Sequence, residues 1–129
     1  MLVWIKHVDS VSRKVECKSD YGIMVGTWCS ETLPLTNRQY SIEIDIPQVI
    51  ASKDICVTVE ESVAIKMQRQ HAIVSGIVVE QEDYLLTLRL GSSILLVEVD
   101  FAAHERFLLQ QRITLMIARL DLYDTYTNA

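Results

Sequence analysis

Carboxylates at alternate positions are the residues in this sequence best placed to do chemistry. Glu43 and Asp45 lie two apart within YSIEIDI, a spacing that in an extended strand puts both side chains on one side, roughly 7 Å from each other. Glu80, Glu82 and Asp83 form a second acidic group, and Glu60 with Glu61 a third. Paired carboxylates can cleave glycosides when they flank a sugar-sized cleft and burial raises the pKa of one of them. Nothing in the sequence builds such a cleft. Two further readings stand beside catalysis: solvated faces and turns that keep a β-protein soluble, and an acidic surface for docking a partner.

The other reactive residue types give no constellation. His7, His71 and His104 are far apart, and none has a His or Cys neighbour at metal-ligand spacing, although folding could bring His71 near Glu43. Cys17, Cys29 and Cys56 are an odd, irregular set, expected to be reduced thiols rather than a disulfide or zinc framework. Gly22, Gly26, Gly76 and Gly91 are scattered among strand-like runs, unlike a phosphate-binding loop. Gly91-Ser92-Ser93 lacks the Gly-x-Ser-x-Gly elbow of a serine nucleophile and is expected to be a turn. No catalytic residue, cofactor or metal site follows. Among aromatics, Trp28 in the stretch 27–39 is a candidate partner anchor, with a core plug as the alternative; Tyr123 and Tyr126 sit near the C-terminus.

The elements that carry these residues are strands. In 40–46, Tyr40, Ile42, Ile44 and Ile46 share one face, and Ser41, Glu43 and Asp45 the other. Ile55, Val57 and Val59, then Val63, Ile65 and Met67, predict a hairpin turning at Glu60 and Glu61. HAIVSGIVVE is apolar on both faces, which predicts a central strand, with Gly76 marking a bulge or a close backbone approach. Segments 72–80, 83–90 and 93–99 predict an antiparallel meander through a charged turn at 81–83 and a tight turn at Gly91 and Ser92. LVWIKHV, RKVECK and GIMVG predict three short strands before a Pro34-containing loop. PQVIASKD is a connection with room for one helical turn. FAAHERFLLQQ is either a short helix or an irregular loop, and RITLMIARLDLY is a strand bent or bulged near Ala118 and Arg119. The expected fold is all-β: a single domain over 1–129, an antiparallel barrel or sandwich of about ten short strands with at most one short helix and no internal sequence repeat.

The chain has 129 residues, 50% of them hydrophobic, and a net charge of −5. That size and composition support a core without metals or disulfides. The negative balance disfavours nucleic acid and anionic membranes, which recruit lysine and arginine, and favours a basic protein partner. Lys6, His7 and Asp9 interrupt the N-terminal apolar residues, so no secretory signal is expected, and no run approaches the length of a membrane span. The expected location is the cytoplasm.

Two stretches carry a partial resemblance: GTWCSETLPLTNRQYSIEIDI, and DYLLTLRLGSSILLVEVD with the ending LDLYDT. Their Gly-x-Trp before a Pro-containing loop, the Tyr-x-x-Glu-x-Asp strand and the Leu-Arg-Leu-Gly hairpin resemble small acidic bacterial immunity proteins of toxin–immunity systems. The likeness covers about half the chain through structural motifs, and no functional residue carries over. It implies a non-enzymatic inhibitor that occludes the active site of a cognate, basic toxin domain. The residues read from the sequence itself as candidate contacts with such a partner are Glu43, Asp45, Glu80, Glu82, Asp83 and Trp28. The main alternative is a small-ligand β-barrel or accessory β-subunit whose interior Tyr84, Leu86, Leu88 and Ile94 would line. An oligonucleotide-binding barrel has a suitable strand count but the wrong charge.

Overall fold

The computed structural model describes residues 1–58, 64–100 and 107–125. Within them the protein is all-β, with twelve strands and a single short 3-10 turn at Ser52–Asp54. Three antiparallel strands open the chain: β1 (Leu2–Val8), β2 (Lys14–Ser19) and β3 (Gly22–Trp28). Next, β4 (Gln39–Asp45) returns to the free edge of β1, and β12 (Asp121–Asp124) pairs antiparallel with β4 and parallel with β3. The order β1-β2-β3-β12-β4 therefore closes on itself, a five-stranded Greek-key ring of the OB type.

A second ring repeats this plan. The meander β8 (His71–Glu82), β9 (Leu85–Leu90) and β10 (Ser93–Asp100) is followed by β11 (Arg112–Ile117), which returns to β8. The circuit closes through segment 50–57: β5 (Ile50–Ala51) runs parallel to β10, and β6 (Ile55–Val57) pairs with β11. In each ring four consecutive strands come from one half of the chain and the closing piece from the other half: the single strand β12 in the first ring, and the two short strands β5 and β6 with the turn between them in the second. The closing pieces are thus crossed between the halves. This architectural repeat leaves no trace in the sequence, because alternation fixes which face a side chain takes and not which neighbour its backbone bonds.

The exchange accounts for two departures from expectation. RITLMIARLDLY is not one bent strand; β11 and β12 belong to different rings, and the chain crosses between them at 118–120. Ile55–Val57 and Ile65–Met67 do not pair with each other: β6 bonds to β11, while β7 (Ile65–Gln68) bonds to β8 and, at Ile65, to Gly22. The expected turn at Glu60 and Glu61 lies outside the described residues. So does 101–106 of the expected helix; Phe107–Gln111 is irregular and ends in a turn.

PQVIASKD is not only a connection: Ile50–Ala51 forms β5, and the helical turn follows it at Ser52–Asp54. Much of the remaining strand reading holds. Along β4, Ile42 and the following Ile46 are buried, Tyr40 and Ile44 half-buried, and Ser41, Glu43 and Asp45 exposed. Strand β8 is central, bonded to β11 on one edge and to β7 and β9 on the other. Gly76 is a close approach: an added Cβ would lie 3.0 Å from Leu90 and 3.3 Å from the Arg89 carbonyl. Gly91 takes the left-handed conformation (φ +58°) that the two-residue turn requires. The core runs through both rings, joining Val3, Ile5, Val15, Met24 and Leu122 to Val78, Leu86, Leu88, Val97 and Leu115. Burial pushes the Cys17 thiol up to about 12. Among the described residues, no helix is long and apolar enough to cross a membrane.

Candidate functional site

Strand register lays out the surface around β4. On its solvent face Glu43 stands opposite Tyr123 and Asp45 opposite Asp121, while Ser41 stands opposite Leu2 and Gln39 opposite Trp4. Trp4 continues the strip to Lys18, and Lys18 to Ile23. Leu2, Trp4, Ile23 and Tyr123 are all substantially exposed, Trp4 at 49%. Glu43 thus has exposed Tyr123 beside it on β12, and exposed Leu2 and Trp4 lie further back along the same face, beside Ser41 and Gln39, a composition that favours protein contact.

A groove of about 710 Å³ opens beside this strip, between β4 and the start of β10. Its walls include the consecutive runs Ile42–Asp45 and Ser92–Leu96, together with Met1 and Tyr123. Consecutive residues of a strand point to opposite faces, so a wall made of every residue in turn is a strand edge. Ile94 and Leu96, at 53% and 55% exposure, give the β10 wall an apolar rim. The β4 wall brings Glu43 and Asp45.

The neighbouring Cys29 sulfur, then burial and the nearby Asp121 and Asp45 carboxylates, hold the Tyr123 phenol above the ordinary tyrosine range. Arg119 Nε donates to Asp121 Oδ1 at 2.6 Å, anchoring the buried end of β12. The neighbouring loop 29–38 is pinned as well: Arg13 Nε donates to the Trp28 carbonyl at 3.0 Å and its guanidinium to the Ser30 carbonyl. Trp28 Nε1 donates to the Thr32 carbonyl at 2.8 Å, and Leu35 N to the Tyr40 hydroxyl at 2.9 Å.

Trp28 itself is corrected as a surface anchor. It ends β3, is 1% exposed, and packs edge-on against Tyr40 with ring centroids 5.6 Å apart. It plugs the first ring, and the exposed tryptophan is Trp4. The signal for Trp4 was its place in LVWIKHV, where Val3 and Ile5 claim the inner face and Trp4 must take the outer one.

The two acidic groups are not brought together by register. Glu80, Glu82 and Asp83 are exposed at the β8–β9 tip, where Leu85 pairs with both Glu82 and Glu98. The groove lies at the other end of the β9–β10 hairpin, where Ile94 pairs with Arg89. Interior ligand lining fails for the residues named for it: Leu86 and Leu88 are packed in the core, whereas Tyr84 and Ile94 face solvent. A smaller groove of about 420 Å³ gathers Lys14, Arg69 and Arg119 near Met67 and Leu120. Among the described residues no group of three or more His, Cys, Asp or Glu side chains could hold a metal ion. His104 and Tyr126 lie outside the described residues.

The chain matches no family model, no curated protein and no solved structure.

Proposed function

We propose that this chain is a non-enzymatic protein-binding domain that captures a basic partner protein, in the manner of an immunity protein blocking a toxin domain. The observation carrying this reading is the outer face of β4, where exposed Glu43 and Asp45 line an open groove with Tyr123 beside Glu43 and with Leu2 and Trp4 exposed further along the same face. The acids steer a cationic partner into register, and the aromatic and aliphatic neighbours supply area that leaves water on contact. The net charge of −5 works in the same direction. Glu80, Glu82 and Asp83, at the far hairpin tip, add to the long-range field rather than to the contact.

The partner to test is the product of the gene beside this one, purified and assayed with and without this chain. Inhibition of that product, with association that slows as salt rises, is the expected result. Replacing Glu43 and Asp45 with lysine (Glu43→Lys, Asp45→Lys) slows association by about tenfold or more and reduces its salt dependence. Unchanged association in that double variant removes the β4 strip from the contact.

A further inference from the structure

The smaller groove lies where the two halves of the chain meet. Its walls come from the β1–β2 connection and β2, the middle of β3, the β7–β8 turn and the crossing segment 118–120. Three cations, Lys14, Arg69 and Arg119, line it and no carboxylate does, a local reversal in a chain of net charge −5. The larger groove is the converse, with two carboxylates and no lysine or arginine. Carboxylates near the smaller groove are engaged elsewhere. Asp121 accepts from Arg119 Nε at 2.6 Å, and Asp9 accepts from Val11 N and Ser12 N. Glu16 stands opposite Val25 in register but does not line the groove. Because Asp121 offsets Arg119, the excess positive charge rests on Lys14 and Arg69. Both are exposed, and among the described residues neither makes an ion pair. Arg69 sits in the two-residue turn between Gln68 and His71 with φ +57°, a left-handed conformation that glycine takes more readily. That turn holds a guanidinium at the rim where backbone preference alone would put glycine.

A main-chain donor faces the same space. On β3, Trp28 N donates toward β2, to the Arg13 carbonyl. Thr27 N donates to the Leu120 carbonyl, and the Tyr21 carbonyl accepts from Ile65 N, both on the opposite edge. The β2–β3 register is unbroken from Lys14 opposite Thr27 to Ser19 opposite Gly22. Alternation therefore aims the Val25 N–H and C=O at the edge that Thr27 N and the Tyr21 carbonyl use. That edge pairs with β7 only at Gly22 and with β12 only from Thr27. Val25 lies between and has no ladder partner there among the described residues, and it lines the groove. A ligand with several acceptor oxygens suits this set of donors: the Val25 amide, the Ser12 and Thr27 hydroxyls, Lys14 and two guanidinium groups. The Val25 and Met67 side chains add an apolar wall.

We propose that this groove binds a small organic phosphate of about mononucleotide size, at a site separate from the β4 face and independent of the docking role given above. Its volume of about 420 Å³ falls within the range of small-molecule sites. Lys14, Arg69 and Arg119 would surround the phosphate from three separate segments, and the Val25 N–H would donate to one of its oxygens. The organic part would lie against Val25 and Met67. An oligonucleotide fits less well, because no aromatic side chain lines the groove to stack a base.

The probes are adenosine monophosphate, inorganic pyrophosphate and an oligothymidylate of about ten nucleotides. Each is titrated at constant ionic strength into the isotopically labelled whole chain and followed by amide chemical shifts. Adenosine monophosphate should bind with a Kd below about 1 mM, shift the Val25 and Thr27 amides, and bind more tightly than pyrophosphate. Lys14→Gln with Arg69→Gln, at two exposed positions, should weaken it about tenfold or more. Glu43→Lys with Asp45→Lys should not weaken it, which separates this site from the docking face. A weaker Kd than that for the nucleotide, or equal affinity in the Lys14→Gln, Arg69→Gln variant, overturns the proposal. Pyrophosphate binding as tightly as the nucleotide would make this a site for free phosphate and overturn the organic ligand. Tighter binding of the oligothymidylate would assign the groove to nucleic acid and likewise overturn it.

Discussion

The two rings share one plan of strands and differ in how that plan is closed. In the first, the incoming strand β12 is continuous, bonds to both neighbours, and brings Leu122 into the core with Leu120 just ahead of it. In the second, the incoming segment 50–57 is broken by a 3-10 turn; Ile50 is buried, Ile55 half-buried and Val57 exposed. The junctions differ in the opposite sense. The second ring's first strand covers its neighbour β11 and pairs with β7, whereas at the corresponding place β4 and β10 approach each other directly beside the groove. One plan thus yields a tightly sealed ring with an open junction and a loosely sealed ring with a filled one. The open junction is where acidic and apolar groups meet.

The largest contrast should appear in thiol chemistry. Cys17 faces the interior of the first ring, and its pKa is raised to about 12 from 9.0, so its thiolate is about a thousandfold scarcer than in a free thiol near pH 8. Cys56 lies exposed on the strand that closes the second ring. Maleimide or iodoacetamide at pH 8, followed by peptide mass mapping, should modify Cys56 and spare Cys17 until the chain is unfolded. Rapid modification of Cys17 in the native protein would mean that the first ring is not sealed.

The incoming strands give the next effect. Leu122→Ala should lower unfolding free energy by about 2–5 kcal/mol in urea titration, the usual cost of emptying a buried leucine site. Val57→Ala, at an exposed position, should stay within about 0.5 kcal/mol of wild type. Similar values for the two would erase the difference in closure.

Gly26 sharpens the comparison further, because a Cβ there would lie 2.7 Å from Leu122 Cγ. Gly26→Ala should cost about 1–3 kcal/mol by overpacking. Combined with Leu122→Ala it should cost less than the sum, since the truncated leucine leaves room. Strict additivity would deny that β12 seats against β3. The smallest stability effect is expected at the surface strip: Trp4→Ala should change unfolding free energy by no more than about 1 kcal/mol while weakening partner binding well beyond that. A large stability loss with intact binding would make Trp4 a packing residue.

Much of this was legible from alternation alone. YSIEIDI declared its inner and outer faces, and Gly91 with Ser92 announced a turn between two strands. Partner choice was not legible. Nothing in Ile55–Val57 or Leu120–Tyr123 says that these residues cross to the other ring, because backbone groups bond alike in either, and only the packing of distant strands selects one. Trp28 was misplaced for a related reason: its strand runs to the end of GIMVGTW rather than stopping at Gly26, which turns the indole inward. The acidic pair was found because its spacing sets its face. The groove was not, because an open strand edge is defined by the strand that does not lie beside it.

Association of the chain with the purified product of the neighbouring gene, followed by stopped-flow fluorescence over a range of salt concentrations, tests the central claim most directly. The account predicts binding that slows as salt rises and that slows about tenfold or more in the Glu43→Lys, Asp45→Lys variant. Absence of binding, or association that neither salt nor the double variant changes, would contradict it.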